Sequence, residues 1–252
     1  MIFQWAVAWF GGKHLDYQPI DAHYHDLEHT LQGILCMARL LSRRQAFGQE
    51  PLVTQRMFEL GMLAILMHDT GYLKKQGDTD GTGAKYTLTH VDRSIEFAGE
   101  LMRARNFPAE EILAVQNMIR CTGVNVKLEA IQFQNDLERI VGFSLGTADL
   151  LGQMAASDYV DKLPILYLEF AEAATYNAGK MKAGGFFSSA DDLVQKTPLF
   201  WEKYVKSKID REFLGLYRFL SDPYPDGPNS YMEQIEANVA RVQRELAGRA
   251  GP

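Results

Sequence analysis

The stretch Ala64–Tyr72, AILMHDTGY, decides how the rest of the chain is read. An apolar helical run ends in an adjacent histidine and aspartate, His68 and Asp69, and stops at Gly71. Neighbouring residues on an α-helix point about 100° apart, so the pair can share one ion only where that ion sits over the helix end. Aspartate is almost never fully buried unless a partner or a cation compensates its charge. A His-Asp pair closing an apolar helix therefore calls for partners elsewhere in the chain.

Outward from this stretch the pattern is helical almost throughout. Asp26–Phe47 places Leu27, Leu31, Ile34, Leu35, Ala38 and Leu41 at the spacing of one buried helix face. Pro51, a residue favoured at helix starts, opens a predicted helix over Leu52–Asp69. Further helices are predicted over Thr89–Asn106 and over Pro108–Cys121, the latter with Glu110 and Glu111 near its positive end. Asp136–Ala156 follows, and its Gly142, Gly146 and Gly152 cost helix stability but permit close approach of another helix. Ser157–Tyr176 is expected to be interrupted or restarted at Pro164, and Ser189–Leu220 to break near Pro198. Ser230–Ala247 forms a terminal helix. Gly77–Lys85 (GDTDGTGAK) lacks the GxxxxGK[ST] spacing of a phosphate loop and reads as a flexible surface loop. No alternating run long enough for a sheet occurs, and no linker or repeat divides the chain. The expectation is an all-α, single-domain helical bundle spanning residues 1–252.

The 252 residues suffice for a large core, and 46% hydrophobic with 23% charged content is ordinary for a globular protein. A net charge of −6 and a pI near 5.6 argue against a nucleic-acid partner. A phosphorylated substrate stays admissible, because bound cations reverse the local field. Two cysteines, Cys36 and Cys121, make no disulfide framework and point to a reducing, cytoplasmic setting. The apolar opening MIFQWAVAWF is too short to span a bilayer and lacks a signal peptide's basic flank, so it is expected to pack as a first helix on the body, with no membrane partner.

The partners of His68 and Asp69 are found in three further segments. YHDLEH supplies His25 and His29 four residues apart, hence on one helix face if the helix has begun by His25. LTHVD supplies His90, and GTADLLG supplies Asp149 on an otherwise apolar face. Imidazole with carboxylate suits zinc, manganese, iron, cobalt or nickel, and additional carboxylates and waters admit magnesium. One or two ligands from each of several helices is how metal sites inside bundles are built.

In this order the motifs Tyr24-His25-Asp26-Leu27-Glu28-His29, His68-Asp69 and Asp149 resemble the HD superfamily of metal-dependent phosphohydrolases. They are most similar to the branch that includes cyclic-nucleotide phosphodiesterases. The resemblance covers about residues 20–165, and 166–252 is a helical extension. Asp26 stands where that branch has asparagine, TGYLKK lacks the Glu-Asp pair of alarmone hydrolases, and Arg120-Cys121 stands near where the cyclic-dinucleotide branch has a His-His pair.

The resemblance implies an HD-type bundle with one or two divalent ions between its central helices. His29, His68, Asp69 and Asp149 would bind the first ion, and Asp69 would bridge to a second. His90 would ligate that second ion or hold its water. A metal-bound hydroxide would attack phosphorus in line, and His25 would protonate the leaving alkoxide. The implied substrate is a small phosphoester, foremost a cyclic nucleotide. The alternatives are a 5'-nucleotide phosphatase on the same site, a catalytically silent ligand-binding module, and, lowest in rank, a di-iron oxygenase. A homodimer is compatible with the sequence.

Around this core, Lys162 and Arg120 are the candidates for gripping substrate phosphate. Lys74, Lys75 and Lys85 read as surface charges. Tyr72, Phe186, Phe187 and Tyr231 are either core residues or a stack for a base. His14 and His23 read as structural or solvent-facing, and Glu28 as a solvated residue able to orient a ligand.

Overall fold

A computed structural model describes residues 2–13, 16–124, 126–178 and 187–249. The described residues form an all-helical body with nine α-helices, and their only β pairing is an isolated bridge between Tyr17 and Lys75. His14 and Phe186 lie outside the described residues. The helices are α1 (Ile2–Phe10), α2 (Leu27–Ala46), α3 (Gln55–Met67), α4 (His90–Arg103), α5 (Ala109–Arg120), α6 (Asp136–Met154), α7 (Tyr159–Tyr176), α8 (Ala190–Phe200) and α9 (Ser230–Arg249). None is long and apolar enough to cross a membrane. Cys36 and Cys121 are free, buried thiols.

Helix α3 is the hub. Its run Leu63–Met67 is buried on every side, as an all-round apolar helix must be, and it packs against α2, α5 and α6. Helix α1 lays Ala6, Trp9 and Phe10 onto this body, with Trp9 edge-on to Phe97 of α4.

Helices α2 and α6 meet most closely at glycine. A Cβ on Gly152 would lie 2.9 Å from the Gly33 Cα and nitrogen, and one on Gly142 would press on Cys121 Sγ at 3.0 Å. At Gly146 the space is taken by the ring of Phe213. The helix-weakening glycines thus serve as contact points, as expected from their sequence positions.

Several boundaries differ from expectation. Helix α3 does not begin at Pro51. Buried Arg44 takes the carbonyls of Glu50 and Pro51 at 2.9 and 2.7 Å, holding that segment out of the helix. The start falls at Thr54, whose hydroxyl accepts the Met57 N–H. Pro164 does not interrupt α7. It lies in the second turn, where it forfeits one backbone hydrogen bond that its neighbours outlast. Helix α8 likewise runs through Pro198, then loosens into i→i+5 turns at Trp201–Val205 and Lys208–Glu212. It ends where Leu214 and Gly215 take positive φ of 58° and 65°.

The Gly77–Lys85 segment is pinned rather than free. Lys85, buried against expectation, reaches Asp78 Oδ1 at 2.5 Å and the Asp80 carbonyl, while Thr82 donates its N–H and hydroxyl to Glu172 of α7. Lys74, also buried, pairs with Asp21 at 2.7 Å and donates to the Gly81 carbonyl. Only Lys75 of these three is exposed as expected. A buried ammonium is tolerated here because each is wrapped in oxygen acceptors.

The glycine contact gives the first prediction. On an exposed helix face Gly→Ala stabilises by about 1 kcal/mol. Gly152→Ala must instead push α2 and α6 apart, so thermal unfolding should show a net loss of about 1–3 kcal/mol. A gain would show that the close approach is not maintained in solution.

Candidate metal centre

Four elements deliver the cluster. His29 stands in the first turn of α2, whose N-cap Asp26 accepts the His29 N–H at 2.8 Å. Asp26 thus has a structural task as the cap of α2. His68 is the C-cap of α3, and the chain leaves the helix at Asp69 through a tight turn, Thr70–Tyr72. This turn brings both side chains over the helix end, as adjacency required. Asp149 comes from α6, one turn from the Gly152–Gly33 contact that draws α6 onto α2.

The Nε2 atom of His29 lies 3.3 Å from Asp69 Oδ2 and 3.5 Å from Asp149 Oδ1. That of His68 lies 3.1 and 3.3 Å from the same two oxygens. His29, His68 and Asp69 are almost wholly buried, and the Asp149 side chain is 13% exposed. The distances are close but the angles are poor, so His68 Nε2 and Asp69 Oδ2 have no hydrogen-bond partner among the described residues. Buried polar atoms without partners are rare and call for an explanation.

The explanation lies in the donor set. His68 Nδ1 is 2.7 Å from the Ile65 carbonyl, which can only accept, so Nδ1 carries a proton and Nε2, turned to the carboxylates, is the atom a metal would take once its own proton leaves. Ligating histidines are commonly fixed in this way. Two imidazole nitrogens and two carboxylate oxygens around one point suit a divalent ion, and His29, His68 and Asp149 offer ligand atoms within 4.8 Å of one another. The group could hold a metal ion.

His90 and His25 flank the cluster. His90, in the first turn of α4, donates Nδ1–H to the Thr87 carbonyl at 2.7 Å and places Nε2 3.9 Å from Asp69 Oδ1. His25 is held by Glu169 of α7, whose Oε2 lies 2.5 Å from His25 Nδ1 and whose Oε1 accepts the Tyr24 N–H at 2.7 Å. Glu169 is buried and sequence reading missed it. Nothing in YLEFAEAA separates it from Glu172, and only the packing of α7 against the segment before α2 gives it a partner.

Tyr72 is fully buried with His25 and His90 both against its ring, so it is not available to stack on a base. Phe187 packs on Phe170, and Tyr231 accepts from Arg39, both away from the cluster residues. His23 is exposed. Lys162 bridges Glu28 at 3.1 Å and Asp158 at 3.0 Å beside a crevice of about 10 Å³ that reaches His29 between Tyr24, Gln32 and Gln153. Glu28 is therefore Lys162's partner. Arg120 donates to Asn117 at the end of α5. A wide cavity of about 830 Å³, between Phe133, Arg139, Phe143 and Glu212, adjoins the first half of α6 and includes none of the cluster residues.

A family model described as Npun_R2479-like matches residues 3–245. The chain belongs to the Npun_R2479-like family. No curated protein and no solved structure matches it. Members of this family are defined over nearly the full length seen here, so the match takes in the motif-bearing core and the C-terminal helices together.

Electrostatics tie the cluster together. Burial pulls the His29 imidazole down, but the Asp149 and Asp69 carboxylates beside it outweigh that and lift the group from 6.5 to about 9. His68 is raised well above 6.5 against the same burial, chiefly by the charges of Asp69 and Asp149. Burial pushes both carboxyls up, yet His68 and His29 hold Asp69 and Asp149 well below 3.8. His90 moves the other way, with burial pulling it down further than Asp69 can lift it.

In the metal-free protein, the imidazoles' share of stability is complete below pH 6.5 and lost as pH rises towards about 9. The carboxylates' share is present above 3.8 and lost as pH falls below it. A metal must displace the imidazole protons, so its binding strengthens over the interval in which those protons leave. Thermal unfolding of metal-free protein should therefore fall between pH 6.5 and about 9, while the increment given by saturating manganese grows. An increment flat across that interval would contradict the ligand assignment.

Proposed function

We propose that this chain is a metal-dependent phosphohydrolase of the HD type, acting on a small phosphoester and foremost on a cyclic nucleotide phosphodiester. The observation that carries the reading is the convergence of His29 and His68 Nε2 with Asp69 and Asp149 oxygens at 3.1–3.5 Å, two of those atoms being buried without hydrogen-bond partners. One or two divalent ions held there would supply a hydroxide at neutral pH and neutralise phosphoryl oxygens.

The chain's own residues have distinct parts in this reading. Asp69, with Oδ2 beside His29 and His68 and Oδ1 towards His90, is suited to bridge two positions. His25 is the proton donor to the leaving alkoxide. Glu169 takes its Nδ1–H, which fixes the tautomer and leaves Nε2 for the transfer. His90, neutral and 3.9 Å from Asp69, is suited to a second ion or its water. Lys162 already pairs with Glu28 and Asp158, so a phosphate would share its ammonium with two carboxylates. Arg120 has no part in this reading. A 5'-nucleotide phosphatase would use the same ligands and differ in its product.

Metal analysis of the purified chain, with Asp69→Ala beside it, tests the proposal. Wild type should carry about one to two ions per chain, as hydrolytic sites of this kind do, and the variant should lose most of them. Incubating the manganese-, cobalt- or magnesium-loaded protein with cyclic and linear nucleotides should release a nucleoside monophosphate. Free phosphate would favour the phosphatase instead. Glu169→Gln should lower kcat by about a hundredfold, the lower part of the usual range for proton-transfer groups. Equal metal content in wild type and Asp69→Ala, or no turnover of any nucleotide, would refute the proposal.

A further inference from the structure

The imidazoles of His25 and His90 come from separate segments, yet both lie against one ring. The Tyr72 ring stacks on His25 at 4.4 Å between centroids and 15° between planes, and on His90 at 4.7 Å and 20°. Each histidine is anchored at Nδ1, His25 by Glu169 and His90 by the Thr87 carbonyl. A single anchor leaves the ring free to rock about that bond. A flat surface against its face removes the remaining freedom and fixes where Nε2 points.

Tyr72 can serve as that surface because it is itself immobile. It is 0% exposed. Gly71 before it is pressed so closely on the His90 carbonyl that a Cβ would not fit, and Gly83 meets the Tyr72 carbonyl in the same way. The Gly71 N–H donates to Ser94 Oγ, and Arg93 donates to the carbonyls of Gly71 and Leu73, each at 2.7–2.8 Å. The turn carrying Tyr72 is thus fastened to α4, the helix that carries His90.

We propose that Tyr72 is a positioning residue, a shared stacking plate that sets the Nε2 directions of both His25 and His90 relative to Asp69. The proposal rests on the phosphohydrolase reading for its effect on turnover, but its geometric part stands alone. Its function lies in the flat ring, so phenylalanine should replace tyrosine and leucine, of similar bulk but not planar, should not.

The test compares the full chain, zinc-loaded, as wild type, Tyr72→Phe and Tyr72→Leu, with histidine ring resonances read by NMR. In wild type, ring protons of both His25 and His90 should be shifted upfield by the stacked ring. Tyr72→Phe should keep both shifts and Tyr72→Leu should lose both, with metal content and the His29 and His68 signals unchanged. Turnover in Tyr72→Leu should show kcat reduced on the order of tenfold to a hundredfold with KM little altered, and recovery in Tyr72→Phe. Wild-type shifts absent from either histidine overturn the proposal without any variant, even if Tyr72→Leu fails to fold. Shifts or kcat unmoved by leucine overturn it as well. No turnover in wild type would instead defeat the phosphohydrolase reading and leave the NMR comparison to decide the role of Tyr72.

Discussion

Two largely buried carboxylates, Asp69 and Asp149, face the same pair of imidazoles, His29 and His68, and the surrounding structure answers that charge. An unpaired carboxylate in such a place would cost several kcal/mol and would protonate instead. Here both stay ionised because His29 and His68 stand beside them, and the carboxylates in turn push the imidazoles to higher pKa against the pull of burial. Protons provide this balance in the metal-free chain. A divalent cation can provide it too, with better geometry for the His68 and Asp69 atoms that lack hydrogen-bond partners. The cluster is therefore a place where metal binding and stability are linked.

The scaffold around it is arranged to bring helix ends together. Glycine at positions 33 and 152 lets α2 and α6 approach until His29 and Asp149 share a site. The turn after α3 is tied to α4 by Ser94, which donates to the His68 carbonyl while accepting the Gly71 N–H, and by Arg93. Opposite, α7 contributes Glu169 to His25 and Glu172 to the pinned glycine-rich segment. His25 is thus anchored by an element remote in sequence, whereas the Nδ1 anchor of His90 is the Thr87 carbonyl of the turn just before it.

Membership of the Npun_R2479-like family extends over almost the whole chain, and its description names no reaction. The chemical proposal consequently rests on the site itself: a buried N/O donor set, a histidine with a carboxylate behind it, and a second histidine kept neutral by burial. The proposal takes these as the parts of a hydrolytic centre, and the tyrosine stacked on both flanking histidines adds a further constraint on their rings.

Much of this was legible in residue order alone. Helix period is a local property, so the all-α class and most helix limits followed from the spacing of apolar residues. His68, Asp69 and Asp149 stood out as polar residues in apolar helical settings that need a partner, and His29 by its spacing from His25 and the resemblance of its motif. Their meeting, with His90 and His25 beside them, depended on packing between distant helices. The start of α3 at Thr54, the burial of Lys74 and Lys85, the pairing of Lys162 with Glu28 and Asp158, and the contacts of Glu169 and Tyr72 were visible only in the tertiary structure. The reason is physical: a side chain's local pattern tells which face of its helix it occupies, but the charge or ring that will meet it across the core is supplied by another segment.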